Sequence, residues 1–266
     1  MTDLDFRLSA SEAFELLSLP RVRVGQSLKL GFMGLVAQGI LRLATEDRPG
    51  FVGTRHIPHL TVADGVPDAL PPITGALVKV VRAVAPGGLM KDVVRECHRA
   101  FGTNLWGYHE NYVGPALVAR GLAEKRNFRL LGLIPTHRYE RTPAGEAEKI
   151  RLENAMREAR TIPQFLDRNP AQAAALVAAA GSAVLLVDEL KPFYSAISRR
   201  LTPSGGSSFV FADAGGFSGV DSGLGNCDFG HVDFSCFDSG AFSSFDAGFS
   251  DAGGDGGGDS GGSSGC

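Results

Sequence analysis

Apolar positions alternate between two spacings along this chain. In Ser9–Leu17 they recur every three or four residues, the mark of a helix with one buried side. Ser9 or Ser11 can cap that helix, with Glu12 in its first turn. Pro20 bars continuation, and Arg21-Val22-Arg23-Val24 alternates like a short strand or extended loop. A helix opening at Ser27 carries Phe32, Met33, Leu35 and Val36 and ends at Gly39. Ile40–Ala44 restarts as a strand, Thr45–Gly50 reads as a turn, and Phe51–Leu60 as the returning strand. After a linker at Pro67–Pro72, helical spacing returns over Thr74–Val84 and Leu89–Phe101, on either side of the breaker Pro86-Gly87-Gly88. Phe128–Ile134 reads as a strand and Pro135–Arg141 as a connection. Thr142-Pro143 opens a helix to about Ala159, a cap followed by proline at the first helical position. Asn169-Pro170 opens an alanine-rich helix with its apolar run at Ala173–Val187, and Asp188–Leu201 closes the body, interrupted near Pro192.

One phrase occurs twice. Leu35-Val36-Ala37-Gln38-Gly39-Ile40-Leu41-Arg42-Leu43 is echoed by Leu117-Val118-Ala119-Arg120-Gly121-Leu122-Ala123-Glu124-Lys125. In each copy an apolar helical run meets a glycine and restarts as a strand. Glycine suits the position just past a helix because it enters the left-handed region without a Cβ clash. The predicted class is mainly α: a helical domain with two helix–β-hairpin, winged-helix-like pseudo-repeats.

Charge divides the chain in two. Arg200 is the last basic residue, and nine aspartates follow it without a glutamate. Residues 202–266 therefore carry −9, which leaves +6 on residues 1–201 within a whole-chain charge of −3. The tail is rich in Gly, Ser, Asp and Phe, a composition that does not offset the entropy of ordering its backbone, so it is expected to be disordered. Its phenylalanines, among them Phe229, Phe234, Phe237, Phe242, Phe245 and Phe249, resemble weakly associating stickers. Opposite charges predict that the tail folds back toward the basic residues near Arg126 and Arg129.

Cys97 is the only cysteine before the tail, which argues against a disulfide framework and for a reducing compartment. The N-terminus, with Asp3, Asp5 and Glu12, does not read as a signal peptide. The Ala173–Val187 run is short of the roughly 20 residues of a spanning helix. Candidate chemistry is thin. His109-Glu110 lacks the second histidine of a zinc-protease helix. Cys227, His231 and Cys236 give three ligands where a closed zinc site takes four. No nucleophile elbow or phosphate loop is present. Trp106 and Tyr108 beside a break read as packing residues or as an aromatic tip.

The stretch Gly121-Leu122-Ala123-Glu124-Lys125-Arg126-Asn127-Phe128-Arg129-Leu130-Leu131 resembles the hairpin of the Golgi phosphoprotein 3 family. The turn Thr136-His137-Arg138 fits the same pattern. So do Asp167-Arg168-Asn169 before Ala175-Leu176-Val177, and Val187-Asp188-Glu189-Leu190. Leu28–Leu43 is similar to the family's first helix and strand, so the likeness runs over about residues 9–201. It implies a helical, non-enzymatic, peripheral membrane domain needing no cofactor, with a phosphoinositide-type lipid site and a self-associating hairpin. The hairpin residues would be Glu124, Lys125, Arg126, Asn127 and Phe128. The family's lipid-site tryptophan would fall within Leu19–Val24, where no aromatic stands. Its arginine falls at Leu28, beside Lys29, and its Arg-x-x-Arg pair falls on Gly107 and Glu110.

The expected domains are thus a helical body, 1–201, and an acidic tail, 202–266. The expected partner is an anionic membrane surface or another protein, with a homo-oligomer in view, and the expected location is the cytoplasm or a membrane's cytoplasmic face. Candidate lipid- or anion-binding residues are Arg23, Lys29, Arg120, Arg126 and Arg129. The hairpin's basic charge is offset in part by Glu124, Glu140 and Glu146. The alternative reading is a winged-helix-like DNA-binding regulator, since helix–hairpin units with a basic strand suit that role too. No catalytic residue and no metal site is expected.

Overall fold

A computed structural model describes residues 8–49, 54–84, 88–130, 134–194 and 197. The expected disordered tail, with its cysteines and histidine, lies outside the described residues.

The chain opens with α1 (Ala10–Ser18). Ser9 and Glu12 form a reciprocal capping box, so two otherwise orphaned backbone N–H groups are satisfied at once. Helix α2 (Val24–Ala37) packs across α1. It leads into the antiparallel hairpin β1 (Leu41–Pro49) and β2 (Thr54–Val62). Helices α3 (Pro72–Ala83) and α4 (Met90–Phe101) return against β2. A broken helix follows: α5 (Trp106–Tyr108), one π turn at His109–Val113, and α6 (Gly114–Ala119). It feeds the second antiparallel hairpin, β3 (Ala123–Leu130) and β4 (Ile134–Arg141). Helices α7 (Pro143–Ala159), α8 (Ile162–Phe165) and α9 (Pro170–Ala180) close the body, followed by 3₁₀ turns at Gly181–Leu186 and Asp188–Phe193. The class read from the sequence, mainly α with two helix–hairpin repeats, is the one observed.

The repeat extends to individual hydrogen bonds. Gly39 has φ 71° and Gly121 has φ 72°. Ile40 N–H reaches back to Leu35 O at 3.0 Å, and Leu122 N–H to Leu117 O at 2.9 Å. Gly39 N–H bonds Val36 O at 3.0 Å, and Gly121 N–H bonds Val118 O at 2.9 Å. This paired pattern satisfies the last helical carbonyls and turns the chain into the strand.

Several boundaries differ from the sequence reading. Val24 opens α2 and is not part of a strand. Thr45–Pro49 belongs to β1, not to a turn. The supposed strand Phe128–Ile134 is divided between two strands: β3 ends at Leu130, Ile134 already opens β4, and the supposed connection Pro135–Arg141 belongs to β4. A continuous apolar run reads as one buried strand when only period is read. Pro135 fits near a strand start in a two-stranded ribbon, where a missing N–H costs little. The alanine-rich helix stops at Ala180 because Gly181, at φ 54°, leaves helical space and tightens into a 3₁₀ turn. The segment from Asp188 is likewise 3₁₀, with Pro192 inside it.

One apolar cluster runs from Leu8 to Ile197 and includes Leu16, Leu28, Phe32, Leu77, Leu117 and Ile162. Cys97 lies fully inside it, and burial pushes its thiol far above the ordinary range. Among the described residues, no helix is long and apolar enough to cross a membrane.

Candidate functional site

The second hairpin and its root hold most of the candidate residues. The root is polar and buried, which the apolar pattern alone does not announce. Glu15 of α1 is 0% exposed and His109 of the π turn 2%. His109 Nδ1 donates to Glu15 Oε2 at 2.6 Å, and Ser27 Oγ donates to Glu15 Oε1 at 2.7 Å. Both carboxylate oxygens are therefore engaged, as a buried charge requires. Ser11 Oγ donates to Ser27 O at 2.8 Å. Its single proton is then used, so the Tyr108 hydroxyl, 2.9 Å away, donates to Ser11 Oγ. Burial raises the Tyr108 phenol well above its usual range.

A second polar group lies nearer the surface. His109 Nε2 stands 4.0 Å from Glu110 Oε1, too far for a hydrogen bond, and that oxygen is buried without one. Glu110 Oε2 accepts from His137 Nε2 at 2.6 Å and lies 3.5 Å from Lys125 Nζ. The Trp106 and Tyr139 rings flank the His109 imidazole at 4.7 and 4.9 Å. Burial, then the Glu110 charge, pushes the Tyr139 phenol up to about 12. Tyr139 reaches this position because Gly114 has no side chain: a Cβ there would sit 2.6 Å from the ring. At the foot of β4, Arg141 Nη1 donates to Leu16 O at 2.9 Å and Leu19 O at 2.6 Å. It thus closes the C-terminal end of α1. Chemically, the assembly is a lock of alternating carboxylates and imidazoles that fixes β3 and β4 to α1.

Above the lock, the hairpin is charged. Arg126 Nε donates to Glu124 Oε1 at 2.6 Å and lies 3.0 Å from Glu140 Oε2. The Glu124 hydrogen bond, with the charges of Glu124 and Glu140, holds the Arg126 guanidinium protonated above its usual range. Arg138 pairs with Glu140. Arg126, Arg129 and Arg138 are exposed. Lys125 lies 5.6 Å from the centre of the Tyr139 ring, and Asn127 is exposed. The side chain of Phe128 lies outside the described residues.

The other candidates lie elsewhere. Arg23 is exposed just before α2. Lys29 is 6% exposed within α2, because that helix is covered nearly all round, so it does not share a surface with Arg126 and Arg129. Arg120 Nε lies 3.0 Å from Glu12 Oε1. Both residues line a cavity of about 530 Å3 with apolar walls from Ile40, Leu70, Pro71, Ile73, Pro115 and Ala116. Among the described residues, no group of three His, Cys, Asp or Glu side chains is placed to hold a metal.

Sequence reasoning weighed His109-Glu110 against a zinc motif and Glu110 against a lipid-site arginine, and missed the lock. Glu15 and His109 are 94 positions apart, and Glu110 and His137 are 27 apart. The one local signal was charge at helical positions otherwise destined for the core. No protein-family model matches the chain, and no curated protein matches it.

Proposed function

We propose that the chain is a non-enzymatic peripheral protein that docks on an anionic membrane surface through hairpin β3–β4. The observation that carries this reading is the exposure of Arg126, Arg129 and Arg138 on the hairpin, whose sequence between β3 and β4 is the apolar Leu131-Gly132-Leu133. Residues 123–141 carry five basic and two acidic side chains, so the hairpin is net positive. Each basic side chain near an anionic surface contributes about 1 kcal/mol, and each buried methylene about 0.8 kcal/mol. A basic ribbon with an apolar connecting sequence gains both terms together. The lock at its root supports the reading by holding the ribbon rigidly to the body. The resemblance to Golgi phosphoprotein 3 proteins points the same way. However, Glu110, at the place of one family arginine, already engages His137 and Lys125, which supports recognition of surface charge over a particular phosphoinositide headgroup.

Flotation of the full chain with vesicles tests this. Vesicles containing phosphatidylserine should carry the protein up, and pure phosphatidylcholine vesicles should not. Replacing Arg126 and Arg129 together by alanine should weaken flotation by about tenfold or more. Equal flotation on both vesicle types would remove the proposal. A gel shift of random duplex DNA without flotation would favour a winged-helix-like regulator.

A further inference from the structure

The cavity beside Arg120 is not used by the hairpin. It opens between the start of α1, the end of α2, the start of α3 and α6. Its size falls within the roughly 300–1,000 Å3 of ordinary ligand pockets. Its walls are prolines, alanines, isoleucine and leucine, with Tyr112, and with Arg120 and Glu12 paired to each other in the same lining. α3 also begins there, at Pro72, and no side chain caps it, so the positive end of a twelve-residue helix faces the same space. The apolar walls therefore suit an aromatic ring, and the start of α3 is the side on which an adjoining carboxylate would lie.

The chain supplies that chemistry repeatedly. Asp228-Phe229, Asp233-Phe234, Phe237-Asp238 and Phe245-Asp246 each place an aspartate beside a phenylalanine. We propose that the cavity is the docking site for an aspartate–phenylalanine pair from segment 228–238 of the same molecule. Reach is sufficient. Thirty-two residues separate Ile197 from Phe229, a contour of about 110 Å, whereas a 200-residue body is about 40 Å across. Charge is complementary, −9 on residues 202–266 against +6 on 1–201. The cavity adds ring burial, which outweighs an exposed ion pair.

The tail's own Cys227 and Cys236 flank the proposed pairs, while Cys97 is buried and silent. In the full chain, Ala119→Cys places a thiol on the cavity wall, and Ala147→Cys places one on α7 as a reference. Both positions are exposed alanines. Under mild copper–phenanthroline oxidation, Ala119→Cys should crosslink to Cys227 or Cys236 within one chain about tenfold faster than Ala147→Cys. Asn111→Cys, also on the cavity, should behave like Ala119→Cys. Adding Phe229→Ser, Phe234→Ser and Phe237→Ser should bring both cavity positions down to the reference rate. Equal rates at the cavity and on α7 would overturn the proposal. So would crosslinking that survives loss of the phenylalanines, or crosslinks formed only between chains.

Discussion

Helix α2, in the first repeat, buries thirteen of its fourteen residues, whereas α6, at the matching place in the second, buries two of six. Both end at the same glycine hinge with the same backbone bonds. Around the hinge they diverge. α2 is apolar on nearly every side and lies under α1, the 3₁₀ turn from Gly181 and α3. α6 is preceded by a π turn that carries His109 and Glu110, and its hairpin is fastened by charge. The first repeat is held by burial, the second by a polar lock. A local motif therefore sets chain direction, while the surrounding composition decides what holds it.

The largest test of this contrast is His109→Ala. It leaves buried Glu15 Oε2 without its hydrogen-bond partner and empties a ring's volume from the interior, together about 3–5 kcal/mol. Urea unfolding of full-length protein measures it. A change under about 1 kcal/mol would show that the lock does not hold the second repeat.

Glycine-to-alanine changes separate the two repeats next. Gly114→Ala drives a Cβ to 2.6 Å from the Tyr139 ring, an overpacking that costs about 1–3 kcal/mol. Gly34→Ala in α2 meets only the Ala10 Cβ, at 3.6 Å, and should stabilise by up to about 1 kcal/mol through helix propensity. Thermal unfolding of the pair should show shifts of opposite sign.

The hinges should respond alike. Gly39→Ala and Gly121→Ala each force a Cβ into left-handed backbone, at about 1–2 kcal/mol apiece. Costs that differ by several-fold in the same unfolding assay would break the equivalence of the two hinges.

The smallest effect concerns Glu146 at the foot of β4. Its hydrogen bond from Arg141, at 2.5 Å, holds the carboxyl below the usual carboxylate range. The contribution is therefore present above the ordinary carboxylate range and is lost as pH falls through the depressed folded value. A carboxyl-carbon NMR titration should place Glu146 below its ordinary value, and Arg141→Ala should return it.

Local chemistry was legible in the residues themselves. Ser9 with Glu12, Thr142 with Pro143, Asn169 with Pro170, and the two glycine hinges each act within a few positions, so short-range sterics and capping suffice to place them. The mainly helical class and the paired hairpins followed from spacing. The strand boundaries did not, because a continuous apolar run carries the same signal whether it belongs to one strand or two. Tertiary structure alone joined Glu15 to His109 and Glu110 to His137. It also withdrew Lys29 into the core and assigned Arg141 to the end of α1. The reason is physical. Hydrogen-bond and charge partners are chosen by proximity in space, and nothing in a residue's own neighbourhood along the chain encodes which distant side chain will shield it from water.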